Sequence, residues 1–500
     1  MENLENYFEQ FRKNIVGIDA TFQTPYGQQK LIYADWIASG RLYGPIEDII
    51  KNTIGPMVGN THSESSETGI AMTQAYHMAH KIIKEHVNAC CDDVILTVGS
   101  GMTGVVSKLQ RILGLKIPEK THSFCHISAN KILGCLREMG EERPVVFITH
   151  MEHHSNHTSW LETIAEVVII EPDENLLVNP DNLREQIKPY KDRKLKIGAF
   201  SACSNVTGIK PPYYELAKIM HENGGYAFID FAASAPYLKI DMHPEDPMEK
   251  LDAIFFSPHK FLGGPGSSGV VVFNKELYQN LTPDQPGGGT VTWTNRWGEY
   301  QYIDDIETRE DGGTPAFLQA MRAALCIQLK EKMGCENIYK REEELLRKAF
   351  SELRKIPGLN ILADNVEDRI GVISFYIKDI HHNLIVKLLN DRFGVQVRGG
   401  CSCAGTYGHY LLKVDRDVSK RITEKINKGD LSEKPGWVRL SLHPTMTNEE
   451  LNFIINALKQ IVENKDEWSK DYHYSSHTNE FYHKNVKPKE PADYLDWFKL

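Results

Sequence analysis

The 500-residue chain has no run approaching the roughly 20 consecutive apolar residues that a membrane-crossing helix requires. Its opening residues, Met1-Glu2-Asn3-Leu4-Glu5-Asn6-Tyr7, carry neither the basic segment nor the apolar segment of a secretion signal. Excess positive charge is also lacking: 57 Lys and Arg against 67 Asp and Glu leave a net charge of −10, which argues against nucleic acid as the principal partner. The nine cysteines are odd in number and scattered, so they suggest no disulfide framework, and a reducing compartment is the simpler expectation. These absences point to a cytoplasmic protein with neither a membrane nor a nucleic-acid partner. Internal repeats and low-complexity tracts are missing as well. What remains, 41% apolar and 25% charged, is ordinary for a globular protein long enough for two or three domains.

Seven short apolar runs are spaced by helix-length segments: Val94–Val98, Val145–Thr149, Val167–Ile170, Ile197–Ser201, Tyr226–Asp230, Ala253–Phe256 and Gly269–Phe273. Runs of this length and spacing predict an α/β fold, a mostly parallel sheet of seven strands covered on both faces. In such a sheet, functional groups gather beyond the strand C-termini. The polar residues fall there: Gly99-Ser100-Gly101, His153-His154, Ser204-Asn205, Asp230 and Ser257. The segment from about Ala316 to Ile356 reads as one long amphipathic helix leaving this large domain. Asp368–Phe375 and Val438–Leu442 then read as strands of a smaller α+β domain. The expected division is an N-terminal arm over 1–30, a large domain over 31–315, a small domain over 316–464, and an aromatic-rich tail over 465–500 with neither helical nor strand period. Such a tail docks on the body or on a partner subunit.

Ser257-Pro258-His259-Lys260, followed by Gly263-Gly264, presents a hydroxyl, an imidazole and an amine side by side at the end of a buried strand. One strand earlier, Asp230 ends an apolar run, and a buried acid costs several kcal/mol unless it is paired. An amine able to form a Schiff base, with an acid to keep a pyridine nitrogen protonated, is what pyridoxal 5'-phosphate needs. Ser257 and His259 would reach its phosphate. Gly99-Ser100-Gly101-Met102-Thr103-Gly104 is either a phosphate-binding strand-to-helix turn or an ordinary Gly-rich one. Met151-Glu152-His153-His154 offers one imidazole to lie on a planar ring, or two ordinary polar turn residues. Neighbouring histidines on an extended segment point apart and would not share a metal.

Arg398-Gly399-Gly400-Cys401-Ser402-Cys403-Ala404-Gly405 places two thiols in an open loop. Three readings compete: a nucleophile, half of a metal site, and structural thiols. No second Cys or His pair completes a metal set, so no metal is expected. Arg439 interrupts an apolar alternation and needs a carboxylate, either a structural acid or that of an amino-acid substrate.

Taken together, Met-Glu-His-His before an Asn, Ser-Asn-Val-x-Gly, the strand-ending Asp, Ser-x-His-Lys, Gly-Thr-Pro, Arg-x-Gly-x-x-Cys-Ala and Arg-x-Ser-Leu resemble the class V aminotransferase superfamily. Within it they resemble the cysteine desulfurase and selenocysteine lyase group, from about Leu31 to Ile461. The resemblance implies a fold-type I pyridoxal-phosphate enzyme. Lys260 becomes the Schiff-base lysine, Asp230 the pyridinium partner, His153 the ring-stacking histidine and Asn205 a neighbour of the ring. Gly101, Met102, Ser257 and His259 form the phosphate cradle. Thr314 reaches the partner subunit's phosphate, which implies a homodimer with shared active sites. Cys403 accepts sulfur from a small amino-acid substrate and passes it to a possible acceptor protein, while Arg439, with Asn60 and His62, binds substrate. Gly59-Asn60-Thr61-His62-Ser63 and the Cys-x-Cys are also similar to the desulfurase domain of molybdenum cofactor sulfurases. The chain departs from the family at Ala233, where a glutamine is usual, and at Cys401, where a histidine is common. Added segments fall near Thr121–Arg143, Thr292–Ile303, Gly405–Lys434 and the tail. The alternatives are another class V reaction on the same scaffold, namely C–S lysis, epimerisation or transamination, and a catalytically silent scaffold.

Overall fold

The computed structural model describes residues 3–121 and 139–500. Most of the added segment expected near Thr121–Arg143 therefore lies outside the described residues. The seven apolar runs form one sheet: β1 (Asp93–Val98), β2 (Val145–Thr149), β3 (Glu166–Ile170), β4 (Lys196–Ser201), β5 (Tyr226–Asp230), β6 (Ala253–Phe256) and β7 (Gly269–Asn274). Their order is β1-β7-β6-β5-β4-β2-β3. Four neighbouring pairs run parallel, and β7 runs antiparallel to both β1 and β6. The runs are uninterrupted by polar residues because both faces of the sheet are covered. Phe147, Phe200, Ile229 and Phe256 enter one core, and their chain neighbours Ile148, Ala199, Phe228 and Phe255 enter the other. This alternation is the two-residue period of a strand read in duplicate.

The long helix expected over 316–356 is two helices. Phe317–Met333 (α3) stops at Gly334, whose φ of 77° ends the helical path, and Cys335–Leu353 (α4) restarts in a new direction. Apolar periodicity continues on both sides, so periodicity alone joins what one left-handed glycine separates.

The smaller unit is a four-stranded sheet of β8 (Leu359–Ile361), β9 (Val372–Ile377), β10 (Arg398–Gly400) and β11 (Trp437–Ser441), in the order β8-β9-β11-β10. It packs on α4, on α5 (His382–Phe393) and on α7 (Asn448–Trp468), with Leu345, Leu388, Val438 and Leu458 at its centre. Between them, α6 (Gly405–Leu411) follows the cysteine loop. One piece of this unit comes from far upstream. Ile32–Tyr33 pairs in parallel with Val395–Gln396, and Ile32 and Ala34 belong to the same core, so residues 32–34 sit with the C-terminal strands instead of opening the larger sheet.

Part of the tail has strand structure that its sequence pattern did not reveal. Tyr472–Ser475 and Glu480–His483 form an antiparallel ribbon held to the body. The Tyr472 hydroxyl donates to Asp391, and Arg392 is sandwiched 3.8 Å from the Tyr26 ring and 4.1 Å from the Trp468 ring. Arg392 also pairs with Asp471, which accepts the Tyr26 hydroxyl. Four-residue strands alternating Tyr and His show little apolar contrast between faces. Beyond them Trp497 and Phe498 are exposed.

Arg392→Ala should remove a stacked cation worth about 1–2 kcal/mol. A lower melting temperature and faster proteolytic release of the tail are expected. Arg392→Lys, which keeps the charge but not the planar stack, should recover only part of the loss.

Candidate active site

The C-terminal ends of β1, β2, β4, β5 and β6 open onto one cavity of about 470 Å³. Lys260 enters it from a single helical turn, Pro258–Lys260, directly after β6. That turn is clasped from two sides. Gly40 N–H donates to the His259 carbonyl, and Gly263 N–H to the Arg41 carbonyl. Gly264 is the tightest point: a Cβ there would stand 1.8 Å from the Pro258 carbonyl oxygen, so only glycine lets the chain double back.

Asp230 closes β5 and is buried; one carboxylate oxygen accepts Ala232 N–H. Burial pushes its carboxyl up to about 6, with Lys260 opposing. Burial likewise lowers the Lys260 amine to about 8, against the attraction of Asp230. His153 reaches the same wall, and burial followed by the charge on Lys260 lowers it to about 4, so its ring is neutral at pH 7. Glu152 fixes this histidine's backbone. Its buried carboxylate accepts from the Thr149 hydroxyl, Ser201 N–H and the Asn156 amide, fastening the end of β2 to that of β4.

On the far wall, Ser402 and Cys403 both have left-handed backbones, with φ of 51° and 57°. Each costs about 1 kcal/mol for a residue that carries a Cβ. The Asn205 amide donates to the Ser402 carbonyl at 2.8 Å, and His154 N–H donates to the Cys403 carbonyl at 2.8 Å. Cys403 is exposed and lines the cavity, whereas Cys401 is half-buried against the main core. The carboxylate that Arg439 requires is present: buried Arg439 donates to Asp35 at 2.9 Å and to the Asn205 carbonyl at 3.2 Å. Asp35 also accepts from Arg398 at 3.1 Å. Each terminal nitrogen of Arg439 has one of these acceptors and two hydrogens, so the guanidinium, which lines the cavity, keeps donors for a second carboxylate.

Three expected site residues are not on this wall. Thr314 donates to Asn60 at 3.3 Å, and the His62 ring lies beside Gly289, all apart from the lining of the cavity. The turn carrying Thr314 is anchored just upstream: the Tyr76 hydroxyl donates to Asp311, and Lys108 pairs with Glu310 at 2.6 Å. Ala233 does line the cavity, with Cys203 beside it as a second thiol, buried and inert. Asp35, Glu152 and Cys203 were not singled out from the sequence. Glu152 carried a signal, an acid wedged between an apolar run and two histidines. Among the described residues, Cys90, Asp93 and His243 approach within 4.8 Å at the opposite end of β1, where Asp93 accepts from Cys90 N–H and from the His243 ring.

These residues fit pyridoxal 5'-phosphate on three observations. Asp230 is a buried acid with one oxygen left for a protonated ring nitrogen. Lys260 is a half-buried amine, desolvated at the cavity wall, with no hydrogen-bonded partner. At the start of α2 (Met102–Ile112), Met102 N–H meets Ser257 Oγ at 2.8 Å, and a Cβ on Gly101 would come within 3.2 Å of that oxygen and 3.5 Å of His259 Nε2. A helix start with a free turn of N–H groups, a hydroxyl and an imidazole forms a phosphate cradle.

An amine bonds an aldehyde only when neutral, and the neutral form lies above its pKa. With Lys260 near 8, its neutral fraction at pH 7 exceeds that of an exposed lysine by a few hundred-fold. Cofactor uptake by the apoenzyme, followed by visible absorbance, should accelerate through about pH 8, and Lys260→Ala should give no borohydride-stable link. Gly264→Ala should abolish uptake or soluble expression, because a backbone carbonyl cannot yield 1.5 Å.

A "Probable cysteine desulfurase" of Staphylococcus aureus is 26% identical over 444 residues, covering 87% of this chain and 93% of that one. The protein of that name from Staphylococcus epidermidis is 27% identical over 443 residues, with the same coverage. Among solved structures, the apo cysteine desulfurase of Thermococcus onnurineus NA1 superposes with a TM-score of 0.71 at 21% identity, covering 91% of this chain and 98% of that one. The Escherichia coli cysteine desulfurase CsdA gives 0.68 at 21%, with the same coverage. These likenesses establish a shared fold. The model of the family described as aminotransferase class-V matches residues 121–454, two-thirds of the chain, and the chain therefore belongs to the class-V aminotransferases.

Proposed function

We propose that this protein is a pyridoxal-phosphate-dependent cysteine desulfurase, taking sulfur, or selenium, from L-cysteine or a close analogue and releasing alanine. The observation that carries it is an exposed thiol, Cys403, lining the same cavity as a half-buried amine and a buried guanidinium. When bound, the cofactor supplies an electron sink conjugated to the substrate's Cα. Arg439 binds the substrate carboxylate with the donor that Asp35 leaves free, and His153 presents a neutral, flat ring to the cofactor face. Lys260 Nζ takes the proton from Cα. Cys403, as thiolate, forms an S–S bond with the substrate sulfur while the Cβ–S bond breaks. Cβ then gains a proton, alanine departs, and Cys403 keeps the sulfur as a persulfide for an acceptor protein.

Asn60, His62 and Thr314 support a homodimer in this reading. They stand together, away from their own chain's cavity, and serve the partner subunit's. The lack of a membrane-length helix among the described residues is compatible with a cytoplasmic setting.

Incubation of the holoenzyme with L-cysteine should yield alanine and add one sulfur to Cys403 in the peptide mass spectrum. Cys403→Ser should lower turnover at least a hundred-fold, and Cys401→Ser should lower it little. Persulfide on Cys401, or full activity without Cys403, would move C–S lysis or epimerisation ahead. Mixing inactive Lys260→Ala and Thr314→Ala subunits should restore activity through one intact site per heterodimer; an active monomer in sedimentation would refute shared sites.

A further inference from the structure

His153 and His154 are adjacent, but only His153 faces the cavity. His154 turns outward and touches the C-terminal part of the cysteine loop twice. Its backbone N–H donates to the Cys403 carbonyl at 2.8 Å, and its Nε2 accepts Gly405 N–H at 3.1 Å. The loop's strained turn, with Ser402 and Cys403 left-handed, runs directly into the first of those contacts, and the second fastens the chain two residues beyond it. Such a turn persists only while its surroundings hold it. Accepting an N–H requires a lone pair, hence a neutral ring, and partial burial favours the neutral form of His154. Beyond the loop, on the side away from the active site, an open cleft of about 580 Å³ is lined by His154, His157, Thr406 and His409. The loop therefore has space to move outward once released.

We propose that His154 is a positioning residue for Cys403: the imidazole acceptor, with the backbone donor of the same residue, latches the nucleophile loop against the cavity. The nucleophile and the ring-facing histidine are thereby held by consecutive residues of one segment. Asn205, through Ser402, supplies the third tie. The consequence for turnover rests on the desulfurase reading; the latch itself does not.

The test uses the holoenzyme and hydrogen exchange of the peptide spanning residues 400–406. His154→Leu and the smaller His154→Ala both lack the acceptor, while His154→Gln places an amide oxygen near the position of Nε2. Losing one hydrogen bond of ordinary strength should speed exchange of Gly405 N–H and its neighbours about five-fold. The visible absorbance of the bound cofactor should not change. With L-cysteine, kcat should fall several-fold at unchanged KM, because the thiol and not the substrate is misplaced. His154→Gln should restore both slow exchange and kcat. Wild-type exchange in His154→Leu and His154→Ala, or a Gln variant as loose as Leu, would overturn the proposal. Failure of the wild-type enzyme to form a Cys403 persulfide would refute the desulfurase reading while leaving the exchange result to judge the latch.

Discussion

The structure depends on holding two ionisable groups, Asp230 and Lys260, in an interior that favours neither charge. They sit at the ends of adjacent strands, β5 and β6, and burial draws their ordinary titrations toward each other, to about 6 and about 8. A fold bears that cost only where the groups have a task or a partner. Much of the local architecture keeps them in place. The Lys260 turn is clasped by backbone bonds with Gly40 and Arg41 and by the doubling-back at Gly264, and the end of β4 is fastened to β2 through Glu152.

The strand order supplies the remaining wall. Because β7 runs antiparallel between β1 and β6, the turn after β1 is brought beside the turn after β6. Glycines and serine from residues 99–101 and the Ser257–His259 pair become neighbours although about 155 positions separate Met102 from Ser257. An anion at the start of α2 would meet both.

Features encoded by continuous local pattern were legible in the sequence: seven strands from seven apolar runs, polar groups at their ends, and a lysine behind Ser-x-His. Features decided by a single backbone angle or by a distant partner were not. Gly334 interrupts a helix whose apolar period never falters. Asp35 answers the question of which acid faces Arg439, but the two are 404 positions apart and nothing local marks the pair. The tail's ribbon alternates aromatic and polar residues on both faces, so the contrast that betrays a strand is weak, and its attachment through Arg392 depends on Tyr26 at the other end of the chain. Thr314, Asn60 and His62 show a further limit: they stand together but apart from the cavity, so their expected place in a site is not read from the geometry of one chain.

The parallel pairing of Ile32–Tyr33 with Val395–Gln396 carries a consequence for how the chain becomes a protein. Ser441 N–H donates to the Ala34 carbonyl, so a segment synthesised near the beginning is satisfied only by strands made near the end. The larger sheet, complete by residue 274, can collapse first, while residues 32–34, with Asp35 next to them, wait with unpaired backbone groups. Asp35 is carried on that waiting segment, so the pair that seats Arg439 forms last, and the catalytic cavity closes only after nearly all of the polypeptide has left the ribosome.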